Sequence, residues 1–284
     1  MKLFCFGLGY CAQTLIREQG AHFSQISGTV RSEAKAAALR AAGIDAHVYG
    51  GGAPEPALEA ALDEADGLLV SAAPDEFGDP MLRQWDGALR RAEALKIVVY
   101  LSTVGVYGDY GGHWIDETDA PNPVSERGQR RIMAENVWSD FGIRKGVGVQ
   151  LHRLAGIYGP GRCVLDDLKE GTARRIIKPG QVFNRIHVSD IAGAAAAGLM
   201  HPDVSGAFNI CDDEPCAPQD VVSFAANLLG MPPPPEVPFA QANLSPMGRS
   251  FYSESKRCSN RKVKAVLGYQ FRFATYREGL RSLV

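Results

Sequence analysis

No stretch of this sequence comes near the ~20 consecutive apolar residues that a helix needs to cross a bilayer. Nor does one sign of charge dominate: 30 Lys and Arg face 32 Asp and Glu, for a net charge of −2. That balance leaves no electrostatic footprint for nucleic acid or an anionic membrane, so neither is expected as a partner. The six cysteines (Cys5, Cys11, Cys163, Cys211, Cys216 and Cys258) have no metal or redox spacing and read as reduced, mostly buried thiols. A carboxylate pair, a metal-ligand cluster and a nucleophile elbow are missing as well. There is no internal repeat, and the only low-complexity stretch, Pro232 to Pro235, reads as a stiff surface connection. Met1-Lys2 with Leu3 to Phe6 is too short for a signal peptide, since Gly7 and Gly9 interrupt it, and a cytoplasmic location is expected. The composition, 45% hydrophobic and 22% charged, is that of a globular chain. It is long enough for one large α/β domain or a domain plus a smaller lobe.

What is present is organised around the first twelve residues. Lys2-Leu3-Phe4-Cys5-Phe6 reads as an apolar strand, and Leu15 and Ile16 belong to an apolar-periodic helix. Between them, Gly7-Leu8-Gly9-Tyr10-Cys11-Ala12 has the G-x-G-x-x-G/A form of a dinucleotide-binding turn. Gly7 permits the tight turn, and Gly9 lets backbone N–H groups approach a diphosphate with no Cβ in the way. The small Ala12 lets the helix pack close to the strand, with its positive end aimed at the phosphates. An ordinary α/β turn can carry the same glycines; the position directly after the first strand points to a cofactor. Gly7, Gly9, Tyr10, Cys11 and Ala12 are therefore candidate cofactor contacts.

Gln25 to Arg31 reads as the second strand, whose end faces the adenosine ribose in such a fold. An acid there would bind the ribose hydroxyls and favour NAD. This chain has Thr29, Arg31 and Ser32 instead. A guanidinium and a hydroxyl suit a 2′-phosphate, so NADP is the expected cofactor, with NAD possible. The other reading of Arg31 is a solvated side chain at a strand end. An alanine-rich helix from Glu33 to Ala42 is stopped by Gly43. A strand over Ile44 to Tyr49, a helix over Ala57 to Glu64 and a buried strand over Gly67 to Ser71 follow. That strand ends in Ala72-Ala73-Pro74, small residues that would let a cofactor lie across the sheet edge. A helix is expected over 81–95, and Ile97 to Leu101 is the clearest strand in the chain. This alternation means an α/β fold with a Rossmann-like, doubly wound parallel sheet.

Five later segments carry a more specific signal. They are Leu101-Ser102-Thr103-Val104-Gly105-Val106-Tyr107-Gly108-Asp109, then Leu151-His152-Arg153-Leu154-Ala155-Gly156-Ile157-Tyr158-Gly159-Pro160-Gly161-Arg162, then Phe183-Asn184-Arg185-Ile186-His187-Val188-Ser189-Asp190. Gly206-Ala207-Phe208-Asn209-Ile210 with Asp212 to Pro215 comes next, and Cys258 to Arg261 with Val266 to Tyr269 closes the series. In this order they resemble the extended short-chain dehydrogenases/reductases, the NAD-dependent epimerase/dehydratase group. The resemblance implies a dinucleotide-binding domain over residues 1–158, to which the chain returns at about 182–210. It implies a smaller substrate lobe within 159–284, and cofactor contacts at Gly156 and Ile157. It also implies that Tyr107, Tyr158 and His187 pack or line the site, His187 hydrogen-bonding with Asp190.

Active members of that group use a Ser or Thr, a Tyr and a Lys. The hydroxyl four positions before the Tyr of the V-Y-G motif is here Thr103. In the segment Pro123 to Glu135, Arg127 falls where the acid/base Tyr would stand and Arg131 where the Lys would stand. An arginine is a poor proton donor or acceptor near neutrality, its pKa being above ~12. Arg127 could instead stabilise negative charge developing on a carbonyl oxygen, and Arg131 could hold a ribose or phosphate. Thr103, Arg127 and Arg131 are thus the candidate catalytic residues, with His152 a further candidate proton donor. Four residues apart on a predicted helix, Arg127 and Arg131 share a face with Arg130 beside them. That face suggests a small anionic substrate; the alternative is a solvated helix face whose site has decayed. The expected function is an NADP-dependent oxidoreductase or epimerase-like enzyme, monomeric or homodimeric. The alternative is a sensor or interaction protein that binds NADP(H) without hydride chemistry.

Overall fold

The computed structural model describes residues 1–284. The apolar runs of the first half become β1 (Lys2–Phe6), β2 (Gln25–Val30), β3 (Asp45–Val48), β4 (Gly67–Val70) and β5 (Ile97–Thr103). Between them lie α1 (Tyr10–Gln19), α2 (Glu33–Ala41), α3 (Pro56–Asp63), α4 (Pro80–Gln84) and α5 (Asp86–Arg91). After β5 come a 3-10 turn over Val104–Tyr107, β6 (Trp114–Ile115), α6 (Glu126–Lys145), β7 (Gly148–Leu154) and β8 (Gly156–Tyr158). Next are α7 (Val164–Lys169), β9 (Arg175–Ile177), β10 (Arg185–His187), α8 (Val188–Leu199) and β11 (Gly206–Ile210). The C-terminal part adds α9 (Pro218–Leu228), β12 (Glu236–Pro238), α10 (Pro246–Phe251), β13 (Arg257–Cys258), α11 (Arg261–Leu267) and α12 (Tyr276–Arg281).

Seven strands make one sheet in the order β11-β7-β5-β4-β1-β2-β3, and every neighbouring pair is parallel. Parallel strands between two helical layers must bury both faces, and β1, β4, β5 and β7 do so almost without exception. On one side the sheet packs against α1, α8 and α11 through Leu15, Ile191, Ala195 and Val263. On the other it meets α3, α5 and α6 through Leu58, Leu62, Leu89 and Trp138. The doubly wound α/β fold is as expected. Winding runs outward from β1 on one side and from β4 on the other, so these two strands touch without being consecutive. An open α/β sheet leaves a crevice at such a switch point, beyond the carboxyl ends of its strands. Gly7 and Ser71 stand at that point.

One expectation fails. The helix foreseen over 81–95 is two short helices, broken at Trp85, whose backbone leaves the helical region (φ −116°, ψ 14°). The indole is wholly buried against the rings of Phe4, Phe6 and Tyr49, at centroid distances of 5.6, 5.3 and 5.2 Å. Packing under the sheet therefore overrides helical periodicity there. By contrast α6 runs for 20 residues, from the Ser125 side-chain cap on Gly128 N–H to Gly146, which closes it at φ +74°.

Outside the sheet, α7, α9 and α12 enclose a second core built on Tyr158, Leu165, Val221, Tyr276 and Leu280. β8 and β10 pair with each other at the border between this core and the main sheet. A buried lysine ties the C-terminal part to the loop after β5: Lys256 Nζ donates to the Gly108 carbonyl (2.5 Å) and to Glu254 (2.7 Å). No helix is long and apolar enough to cross a membrane.

Candidate cofactor and active site

The glycine turn is held from both neighbouring strands. Gly7 has φ +97°, a conformation that an L side chain resists. A Cβ there would lie 3.1 Å from Ser71 Oγ and 3.3 Å from Ala72 N. The Ser71 hydroxyl donates to the Gly7 carbonyl, while Gly7 N–H donates to Thr29 Oγ1 (2.9 Å) and Leu8 N–H to the Thr29 carbonyl (2.7 Å). Gly9 differs in kind. A Cβ on it would meet only Ser71 Oγ, at 3.9 Å, so the space before it is open. Gly9 is also the N-cap of α1 and offers no side-chain cap, which leaves the first N–H groups of that helix free for an anion. Ala12 is fully buried against the sheet. Cys11 is half-buried, and burial pushes its thiol up to about 11, far from a reactive thiolate.

At the adenosine end, Arg31 and Ser32 are exposed just beyond β2, and Arg31 has no carboxylate partner. Thr29 corrects its expectation. Its hydroxyl is buried and engaged by Gly7, so it shapes the turn and does not face a ribose phosphate. Ala72 and Pro74 are half-buried and Ala73 exposed at the end of β4. Gly156 and Ile157 open β8, Gly156 exposed.

The second cluster sits at the carboxyl end of β5. Thr103 Oγ1 accepts from Gly105 N–H (3.1 Å) and caps the turn that follows. α6 abuts this turn because Gly128 has no side chain: a Cβ there would lie 2.9 Å from the Gly105 carbonyl. The adjoining Arg127 is exposed and makes no side-chain hydrogen bond or ion pair. Arg131 turns inward, donating through Nη1 to the Leu101 carbonyl (2.6 Å) and Tyr100 Oη (3.1 Å). Arg130 pairs with Glu126 (3.3 Å). The three-arginine face expected from spacing is therefore reduced to one outward guanidinium, that of Arg127, because the other two have nearer acceptors.

Beneath lies a buried network that sequence reasoning missed. Arg153 pairs with Glu135 (2.8 Å), both almost wholly out of water, and the Ser102 hydroxyl donates to the same carboxylate. Arg153 also donates to Tyr107 Oη (2.8 Å), which donates in turn to Asn209 Oδ1 (2.9 Å). One ion pair thus joins β5, α6, β7 and β11 directly below Thr103. Only the pairing of Ala134-Glu135 with the family motif hinted at it. Tyr107, with its hydroxyl so engaged and its pKa raised by burial, cannot serve as the missing acid. Tyr158 is buried in the second core, and its pKa is raised for the same reason. His187 accepts from Ser189 N–H and makes no hydrogen bond to Asp190, which instead accepts from Tyr269 Oη and two backbone N–H groups. Ser71 was also missed; its only signal was its place before Ala72.

No family model matches the chain. A solved structure of a functionally unknown conserved protein from Silicibacter pomeroyi DSS is 45% identical, with a TM-score of 0.89 over 99% of this chain and 97% of that one. The chain belongs to one family with that protein. Among curated proteins, Protein YeeZ of Escherichia coli (strain K12) is 28% identical over 260 residues, 82% of this chain and 85% of that protein. A 3-diazoavenalumate denitrifying reductase from Streptomyces is 28% identical over 244 residues, 75% of each. The fold is that of the NAD-dependent epimerases and dehydratases. A DesIV double mutant, a dTDP-glucose 4,6-dehydratase from Streptomyces venezuelae with NAD and DAU bound, superposes at TM-score 0.77 with 16% identity, over 100% and 95% of the two chains.

His152, the further proton-donor candidate, is excluded by its surroundings. It is wholly buried with Nε2 3.2 Å from Gln150 Oε1, and burial pushes its pKa from 6.5 down to about 3. Because the folded value lies below the unfolded one, the unfolded chain takes the proton first as pH falls. Stability is full above pH 6.5 and is lost from there toward 3, at up to about 1.4 kcal/mol per pH unit. His187, pushed down to about 4, adds to the same acid limb. Replacing His152 with Gln should reduce the slope of urea-unfolding stability between about pH 6.5 and 4.5. An unchanged slope would contradict the assignment.

Proposed function

We propose that the chain is an NADP-dependent oxidoreductase or epimerase-type enzyme acting on a small anionic molecule. The observation that carries this reading is the contrast within the glycine turn. Gly7 is locked by contacts on both sides, whereas Gly9 faces open space at the uncapped end of α1. A diphosphate fits there, with Ser71 and Ala72 flooring the crevice. The similarly folded dehydratase structure with NAD bound supports a nicotinamide dinucleotide. Arg31, exposed with no acid beside it, favours the 2′-phosphate of NADP over a free ribose. NAD is the alternative.

The cofactor would supply a carbon that gives or takes hydride. Around it, the chain's own residues have distinct tasks. Thr103, at the end of β5, orients the substrate oxygen through its hydroxyl. Arg127, the outward cation of α6, stabilises negative charge on that oxygen and attracts a carboxylate or phosphate. Arg131 holds the strand end through Leu101, and the Glu135–Arg153 pair keeps the platform rigid. The protein works in the cytoplasm as a monomer or a homodimer; α6 exposes Met133 and Val137, which suits a homodimer. Neither nucleic acid nor a membrane is a partner.

The inward turn of Arg131 and the engagement of the Tyr107 hydroxyl favour a second reading, a sensor that binds NADP(H) without chemistry. Transfer of deuterium from stereospecifically labelled NADPH to a panel of keto acids and sugar phosphates separates the two. Transfer to any member supports the enzyme, while tight NADPH binding with no transfer to any supports the sensor. For the cofactor, Arg31→Ala should weaken NADPH by roughly tenfold or more in a calorimetric titration, with NADH little changed. Equal losses for both nucleotides would refute the 2′-phosphate assignment.

A further inference from the structure

A second segment reaches the glycine turn from across the crevice. Gly159 and Arg162 close a tight turn on each other, N–H to carbonyl in both directions (3.1 and 3.0 Å). Tyr10, the first residue of α1, donates its hydroxyl to the Pro160 carbonyl (3.1 Å) and so clasps this turn to the head of the helix. Gly159 permits the clasp: a Cβ there would lie 2.6 Å from both Tyr10 Oη and Val188 Cγ1. The turn is thus wedged between the first residues of α1 and α8.

Arg162, at the end of this turn, is exposed and makes no ion pair or side-chain hydrogen bond. Its positive charge is felt at the head of α1, where it pulls the Tyr10 hydroxyl and the Cys11 thiol down against the effect of burial. The neighbouring Arg17 is already taken by Glu18 (3.2 Å) and Thr14 (3.3 Å), and Arg31, just beyond the carboxyl end of β2, is assigned above to the 2′-phosphate. A diphosphate brings two negative charges to a helix end that offers about half a positive one. A free guanidinium supplies a full charge and two parallel donors.

We propose that Arg162 is a binding residue for the diphosphate of the dinucleotide, reaching it from the Gly159–Arg162 turn opposite the head of α1. The proposal rests on the cofactor reading above. It makes the turn after β8 one jaw of a clamp, the glycine turn the other and Tyr10 the hinge pin.

Two probes separate the possibilities by calorimetry on the full chain: ADP-ribose, which carries the diphosphate without nicotinamide, and 2′-AMP, which carries a phosphate without the diphosphate. Arg162→Gln should weaken ADP-ribose by roughly tenfold or more and leave 2′-AMP within about twofold, with Arg162→Lys recovering part of the loss. Arg162 is exposed, so the thermal midpoint should stay unchanged in both variants. ADP-ribose affinity equal to wild type in Arg162→Gln overturns the clamp while leaving the cofactor reading intact. Equal losses for both probes also overturn it, since they would mark a diffuse charge effect. A wild-type chain that binds neither ADP-ribose nor NADPH overturns the cofactor reading, and this proposal with it.

Discussion

The site depends on two hydrogen bonds that fix one glycine. Gly7 is gripped by Thr29 in β2 and by Ser71 just after β4, the two strands on either side of β1. This fastening sets the turn at φ +97° and delivers Gly9 to the head of α1. The switch point of the sheet thereby becomes a rigid floor with open space above it. Small residues are needed on that floor for different reasons. Gly7 is needed because its backbone conformation and its neighbours leave no room, and Gly9 because a ligand must approach.

A second constraint, the buried Glu135–Arg153 pair, sets the height of the platform that carries Thr103. Buried ion pairs add little net stability unless their remaining valences are filled, and here Ser102 and Tyr107 fill them. The pair holds the end of β5, the middle of α6 and the end of β7 at fixed separations. Thr103 can then present its hydroxyl at a defined place. The platform is built for positioning. Proton transfer is a different matter, because the Tyr100 and Tyr107 hydroxyls nearby are committed to the scaffold.

Much of this was legible in the chain itself. The apolar runs at Leu3–Phe6, Leu68–Val70 and Ile97–Leu101 became central strands, since burial on both faces demands unbroken apolar sequence. Gly7-x-Gly9 was legible because backbone geometry at a turn leaves few alternatives to glycine. Side-chain orientation was not legible. Arg131 could be placed on the correct helix, yet which acceptor it chooses depends on the Leu101 carbonyl and Tyr100 hydroxyl, brought near only by the fold. Thr29 was read as a ribose contact because strand ends face the ribose, whereas its hydroxyl points back to Gly7. Trp85 broke a helix that periodicity had made continuous, since an indole cavity under β1 outweighs a helical turn.

The central claim is that the space before Gly9 is reserved for a diphosphate, and one substitution tests it most directly. Gly9 has φ −84°, which any residue adopts, and nothing nearer than 3.9 Å would meet its Cβ. Gly9→Val should therefore fold with an unchanged thermal midpoint, yet show no calorimetric heat with NADPH or NADH where the wild-type chain binds one of them. Undiminished nucleotide binding by a folded Gly9→Val protein would contradict the account.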